Sequence, residues 1–353
     1  MPEFQIAVIP GDGIGLEVTP SALEVLDVIE RSSDARFHFE TFPWSTTYYF
    51  EHGRMMPEDA LDQLRPFNAI LLGAIGHPDV QDNITLNGLL LPIRRTFDQY
   101  ICDRPAKLYD GVVSPLANKQ PGDIDMVVVR ENTEGEYAQI GGRLYQGHSD
   151  EIAIQTSVFT RKGCERIIQH AFELARRRNG KRLVTSITKS NAQGYSMVLW
   201  DKVFAEVSAQ FPDINTEELL VDAAAMNFVR RPESFDVVVA SNLFGDILSD
   251  LSAMITGSMG LAASSNVNPS REVPSMFEPV HGSAPDIAGQ GIANPLAMIL
   301  SAGMMLDFLG LEDQAQRVEK AVAKTLASGS ASPADLGGKA TTAEVVSAVV
   351  SNL

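Results

Sequence analysis

Two cysteines, Cys102 and Cys164, are too few and too far apart for a disulfide framework or a CxxC site, so a reducing compartment is expected. No apolar run approaches the roughly 20 residues that span a bilayer. The opening MPEFQIAVIPGDG carries no basic segment and no small-residue cleavage site, which predicts a cytoplasmic protein without a membrane partner. Positive charge is scarce: 28 Lys and Arg stand against 45 Asp and Glu, a formal net charge of −17. Nucleic acids and anionic membranes need a basic face, so neither is an expected partner. Gly/Ser linkers, internal repeats and low-complexity segments are also missing. At 353 residues the chain is nevertheless long enough for two domains.

What is present is an alternation of two periods. Strand-like apolar runs occur at 4–10, 37–42, 69–75, 126–130, 151–159, 183–188 and 237–241. The run at 151–159 alternates and should be exposed on one side. Helical spacing occupies about 17–31, a stretch starting near Pro57, then 161–178 and 195–210, and everything after Asn294 reads as helix. Strands alternating with helices predict an α/β fold with a largely parallel sheet.

The turn GDGIG follows the first strand and precedes a helix, which invites a dinucleotide-binding reading. That fingerprint needs G-x-G-x-x-G, and here Leu16 stands where the third glycine belongs. Asp12 would also set a carboxylate beside a pyrophosphate. The turn is therefore expected to be a tight strand-to-helix connection needing positive φ, not a standard Rossmann cradle.

Asp246 and Asp250 are four residues apart, on one face of a helix. Spacing alone suits a solvated surface at least as well as a metal site. Their position directly after the apolar strand FDVVVASN, where open α/β sheets place ligands, favours a hard divalent cation. Arg94, Arg95, Arg104 and Arg130 are candidates for an anion pocket in a very acidic chain, since arginine binds carboxylates bidentately. Taken singly, such arginines are usually surface ion-pair partners.

In order along the chain stand IPGDGIG, R94-x9-R104, RENTEGEY (130–137), TSITKSN (185–191), ASNLFGDILSDL (240–251) and FEPVHGSAPDIAGQGIANP (277–295). With these the chain resembles the β-decarboxylating dehydrogenases, the family of isocitrate, isopropylmalate and tartrate/D-malate dehydrogenases. The resemblance implies an isopropylmalate-dehydrogenase-like fold of two domains sharing a large mixed, mostly parallel sheet. A cofactor domain would comprise 1–100 and 255–353, and a dimerisation and metal/substrate domain 101–254.

It also implies roles. Arg94, Arg104 and Arg130 would grip the carboxylate that leaves as CO2. Asp222, Asp246 and Asp250 would hold Mg2+ or Mn2+. Lys189 would be the general base and Tyr137 the acid. Lys189 and Asp222 would reach into the partner's site, which implies a homodimer. NAD would lie along His281, Gly282, Ser283, Ala284, Asp286 and Ile287, with Asn294 near the adenine. A carboxylate at Asp286 would accept hydrogen bonds from ribose hydroxyls and repel a 2′-phosphate by something like 1–4 kcal/mol at about 4 Å, so NAD is expected over NADP.

The segment ITLNGLLLPIR, read as a loop, should present Asn87, Leu90 and Leu91 to the substrate's variable group. Leu90 and Leu91 resemble isopropylmalate dehydrogenase. The segments YYFEHGRMMPED, RTFDQY, SPLANKQPGDID and NVNPSREVPSMFEPVHGSAPD resemble the tartrate/D-malate group, although that group typically has tryptophan where Asn87 stands. The implied reaction is oxidative decarboxylation of D-malate or tartrate, with 3-isopropylmalate as the alternative. A silent regulatory subunit should have lost chemistry-bearing residues; Tyr137, Lys189, Asp222, Asp246 and Asp250 are all present.

Overall fold

The computed structural model describes residues 2–353. Twelve strands are found among them: β1 (Glu3–Gly11), β2 (Arg36–Thr41), β3 (Ala69–Ala74), β4 (Ile101–Lys107), β5 (Asp125–Glu131), β6 (Gly135–Leu144), β7 (Ile152–Val158), β8 (Leu183–Thr188), β9 (Asn215–Leu220), β10 (Val237–Ala240), β11 (Ala263–Val267) and β12 (Ser275–Pro279). All but β6 and β7 belong to a large, mixed, mostly parallel sheet, so the α/β class and the sheet expected from the resemblance are present. No helix among the described residues is long and apolar enough to cross a membrane.

The chain divides into two compact units, one of residues 1–99, 104–124 and 252–353, the other of 100–103 and 125–251. The expected boundaries differ from this chiefly at 104–124, and at residue 100 and residues 252–254. Residues 104–124 group with the first unit because Ser114 Oγ donates to the carbonyl of Ile255 at 2.6 Å and Lys107 pairs with Glu319 at 2.6 Å.

In the first unit the strand order is β2-β1-β3-β12-β11, parallel throughout except for antiparallel β11–β12. Strands buried on both faces should read as continuous apolar runs. AILLGA of β3 does so, with every residue buried. The helix Gly15–Arg31 buries Val18, Ala22, Val25, Leu26 and Ile29, the stripe that a 3.6-residue period produces. The helix Leu296–Phe308 is apolar on nearly every side and is buried accordingly.

The segment before Arg94 is not a loop. It is helical over Asp82–Thr85 and Leu91–Thr96, with one π turn at Leu86–Leu90 between them. Leu90 packs in the core with Ile93, Phe97 and Met55, and Leu91 is buried too. The helical course puts Leu89, Leu90 and Ile93 on one face, which turns them inward.

In the second unit β5-β10-β8-β9 are all parallel. The helix Arg161–Arg178 begins at Thr160, whose hydroxyl accepts from Gly163 N, and ends at Asn179 in the left-handed region. β6 and β7 form a separate antiparallel ladder. β7 is exposed along nearly its whole length, on both faces and not on one as its alternation suggested. Among the described residues β7 pairs with β6 alone, in a two-stranded ladder outside the large sheet.

Candidate active site

The turn after β1 is held from three sides. Gly11 and Gly13 have φ of 73° and 53°, and a Cβ on Gly11 would lie 1.9 Å from the carbonyl oxygen of Ala74. Asp12 is buried, and its carboxylate accepts from Thr46 N at 2.9 Å, Thr46 Oγ1 at 2.5 Å and Gly76 N at 3.0 Å. Such a carboxylate, with its acceptor sites filled by the chain itself, joins elements and does not face a phosphate. The expectation of a tight turn in place of a Rossmann cradle therefore agrees with the geometry.

The same turn nevertheless braces the segment expected to meet the cofactor. Ile14 N donates to the carbonyl of Ser283 at 2.8 Å, and a Cβ on Gly13 would lie 2.1 Å from that oxygen. Glu17, one turn into the helix, accepts from Gly289 N at 2.5 Å and Gly291 N at 3.0 Å. Between these anchors Gly282 and Asp286 are exposed, and Ala284 takes a φ of 40°. His281 Nδ1 sits 3.0 Å from the Gly282 carbonyl; its Nε2 is buried with no hydrogen-bond partner among the described residues, and burial lowers its pKa from the usual imidazole range. Asn294 is buried, its amide donating to Asp335 at 3.0 Å while its oxygen accepts from Leu296 N.

Arg94 and Arg104 are also in this unit, and both are buried. Arg94 pairs with Glu278 at 2.6 Å, and Glu278 is held in turn by Asn266 Nδ2 at 2.8 Å. The Nε of Arg94 is buried and has no partner among the described residues, a donor that suits an incoming anion. Arg104 lies on β4. Asn87 is exposed and bonds back to the Asn83 carbonyl at 2.7 Å.

The second unit assembles Arg130, Tyr137 and Asp246. Arg130 stands one residue before the end of β5 and is almost wholly buried. Its Nε and one terminal nitrogen donate to Asn242 Oδ1 at 3.0 and 2.7 Å, and the other terminal nitrogen to Asp246 Oδ1. Tyr137, on β6, donates its hydroxyl to Asp246 Oδ2 at 2.6 Å, and its ring lies 5.1 Å from the Arg130 guanidinium. Asp250 follows one turn later on the helix Asn242–Ile255 and is exposed.

Lys189 and Asp222 form a pair of their own at 2.7 Å. The hydrogen bond from Lys189 holds the Asp222 carboxyl below its usual pKa. Among the described residues no three His, Cys, Asp or Glu side chains come together to hold a metal ion. Asp222 thus does not join Asp246 and Asp250 of its own chain.

Several positioning residues escape a reading of motifs. Asn242 and Glu278 hold the candidate arginines Arg130 and Arg94, while Asp12, Glu17 and Glu136 hold neighbouring segments, at Thr46 and Gly76, at Gly289 and Gly291, and at Ser241 and Leu243. Only their adjacency to Tyr137, to the aspartate helix, to the glycine turn or, for Glu278, to the His281 segment marks them in the sequence. Glu131, next to Arg130, is buried and accepts from Thr133 N, Thr133 Oγ1 and Glu134 N, each at 3.0 Å. Burial pushes its pKa up to about 7 despite these donors.

Residues 5–349 match the isocitrate/isopropylmalate dehydrogenase family. The chain is 50% identical to a tartrate dehydrogenase/decarboxylase from Pseudomonas putida, over 99% of this chain and 98% of that one. It is 51% identical to a decarboxylating D-malate dehydrogenase from Escherichia coli (strain K12), with the same coverage of 99% and 98%. Among solved structures, isocitrate dehydrogenase from Methylococcus capsulatus matches with a TM-score of 0.87 at 34% identity, covering 99% of both chains. The ordered motifs and the match along nearly the whole length agree: this chain belongs to the isocitrate/isopropylmalate dehydrogenase family.

Proposed function

We propose that the chain is an NAD-dependent, divalent-metal-dependent dehydrogenase that oxidises D-malate or tartrate at the 2-hydroxyl and releases the β-carboxylate as CO2. The observation that carries the proposal is the sharing of Asp246 between Arg130 and Tyr137, which sets a carboxylate-binding cation, a phenolic acid and a metal-ligand candidate side by side. The names of the relatives, tartrate dehydrogenase/decarboxylase and decarboxylating D-malate dehydrogenase, support the same chemistry.

Arg94, Arg104 and Arg130 would hold the departing carboxylate, since guanidinium groups keep their charge when buried and bind both oxygens. Lys189 would take the hydroxyl proton, and Tyr137 would return a proton to the carbon that loses CO2. Hard carboxylate oxygens at Asp246, Asp250 and Asp222, the last two exposed, fit Mg2+ or Mn2+ and would hold it. When bound, such a cation stabilises negative charge developing on substrate oxygens. The exposed carboxylate of Asp286 would select NAD by accepting from the ribose hydroxyls.

Lys189 and Asp222 would act in the site of a second copy, giving a homodimer with shared sites. Met226 and Val229 on one helix and Ile247 on another are each about half exposed or more, apolar side chains that a second copy would cover.

The first test is NADH production with Mn2+ on D-malate, the tartrate isomers and 3-isopropylmalate at matched concentrations. Fast turnover of D-malate or tartrate with CO2 release is expected. A tenfold preference for 3-isopropylmalate would move the assignment to that acid, and no turnover of any would sink the proposal.

A further inference from the structure

Three glutamates of RENTEGEY have distinct partners. Glu131 folds back on Thr133 and Glu134 of its own turn. Glu134 accepts from Thr160 N and Thr160 Oγ1, both at 2.8 Å, at the start of the helix Arg161–Arg178. Glu136 accepts from Ser241 Oγ at 2.8 Å and Leu243 N at 3.1 Å, at the start of the helix Asn242–Ile255. Only the last of these helices carries Asp246 and Asp250.

We infer that Glu136 is a positioning residue that sets the depth and rotation of the aspartate helix against Tyr137. Glu136 and Tyr137 are neighbours on β6, yet both reach the same helix about one turn apart, the first at Leu243 and the second at Asp246. Two attachments from adjacent residues fix both the axial position and the rotation of the helix at the point where Asp246 begins its contacts. A carboxylate at a helix start also satisfies a backbone N–H that has no intrahelical partner and complements the helix dipole. Asn242 completes the frame. Its amide donates to the Glu134 carbonyl at 3.1 Å, while its oxygen receives two nitrogens of Arg130. Removing Glu136 leaves only the hydrogen bonds of Tyr137, Arg130 and Asn242 among those described at this end of the helix, and the placement of Asp246 and Asp250 then loosens.

The inference rests on the proposed metal site and is tested on the whole chain. Mn2+ binding is measured by titration calorimetry, and turnover separately, for the wild type, Glu136→Ala, Glu136→Gln and Glu134→Ala. Glu136→Ala should raise the Kd for Mn2+ about tenfold or more and lower kcat, with KM for NAD unchanged, as loss of a ligand-orienting partner does. Glu136→Gln keeps an oxygen for Leu243 N and should recover most of the affinity. Glu134→Ala removes the same kind of cap from a helix without site residues, and should lower Tm while leaving the Kd for Mn2+ alone. Equal Mn2+ affinity in the wild type and Glu136→Ala overturns the role of Glu136. An equal loss of affinity in Glu134→Ala does so too, because it would reduce the effect to general stability. No Mn2+ binding by the wild type would instead overturn the metal site itself.

Discussion

Tyr137 donates its phenolic proton to Asp246 at 2.6 Å, joining residues 109 positions apart in sequence. The bond makes one side chain at once the partner of a metal-ligand candidate and the candidate acid. Arg130 holds the other oxygen of Asp246, so the carboxylate is fixed from both sides before any substrate arrives.

Tyr137→Phe should keep the fold and NADH binding and cut turnover by about 100-fold, the usual scale for a positioned acid. Stopped-flow and steady-state NADH assays check this. Turnover within a factor of two of wild type would remove Tyr137 from the chemistry.

Lys189→Ala should also abolish most turnover with NADH binding intact. Because the hydrogen bond from Lys189 is the first cause of the low Asp222 pKa, the variant should move that carboxyl upward toward its ordinary value. Carbon-detected NMR of the carboxylates in metal-free buffer follows the shift. An unmoved Asp222 resonance would mean that the 2.7 Å pair does not persist in solution.

Glu131 gives a pH dependence of stability with a definite sign. Its folded pKa is raised from 4.5 to about 7, so the folded chain binds its proton more tightly than the unfolded chain does. This group therefore costs nothing well below pH 4.5, costs progressively more as the pH rises toward 7, and stays at full cost above. A difference of that size is roughly 3 kcal/mol. Glu131→Gln has no such titration. Relative to wild type, urea unfolding should find it more stable at pH 8 than at pH 5 by an amount of that order. The same stability difference at both pH values would contradict the assignment.

Gly13→Ala should weaken NADH binding. The added methyl would meet the Ser283 carbonyl at 2.1 Å, at a φ of 53° that alanine adopts only under strain. The adjustment falls on the segment 281–291, which the same turn and Glu17 brace. Fluorescence titration with NADH should show a raised Kd, and unfolding a lowered Tm. Wild-type NADH affinity would show that this segment does not bind the cofactor.

The amino-acid sequence by itself determined the elements whose signal is local. Residues 161–178 form a helix with the expected bounds, and β3, β8 and β10 lie where continuous apolar runs put them. Periodicity suffices there because each element buries the face that its own residues define. The positive-φ turn at Gly11 and Gly13 was legible for the same reason, and ordered motifs carried the family and the candidate residues. Other features depend on neighbours far along the chain. β4 carries Asp103 and Arg104 among its apolar residues, and reads as strand only once it has partners in the sheet. The stretch 84–94 has the composition of a pocket loop, but the core around Met55 and Phe97 draws Leu90 inward on a π turn. The clamp of Glu136, Tyr137, Asn242 and Arg130 on one helix was decided only by tertiary structure. A hydrogen bond between residues more than 100 positions apart leaves no periodic trace, and folding alone brings its donor and acceptor within 3 Å or so.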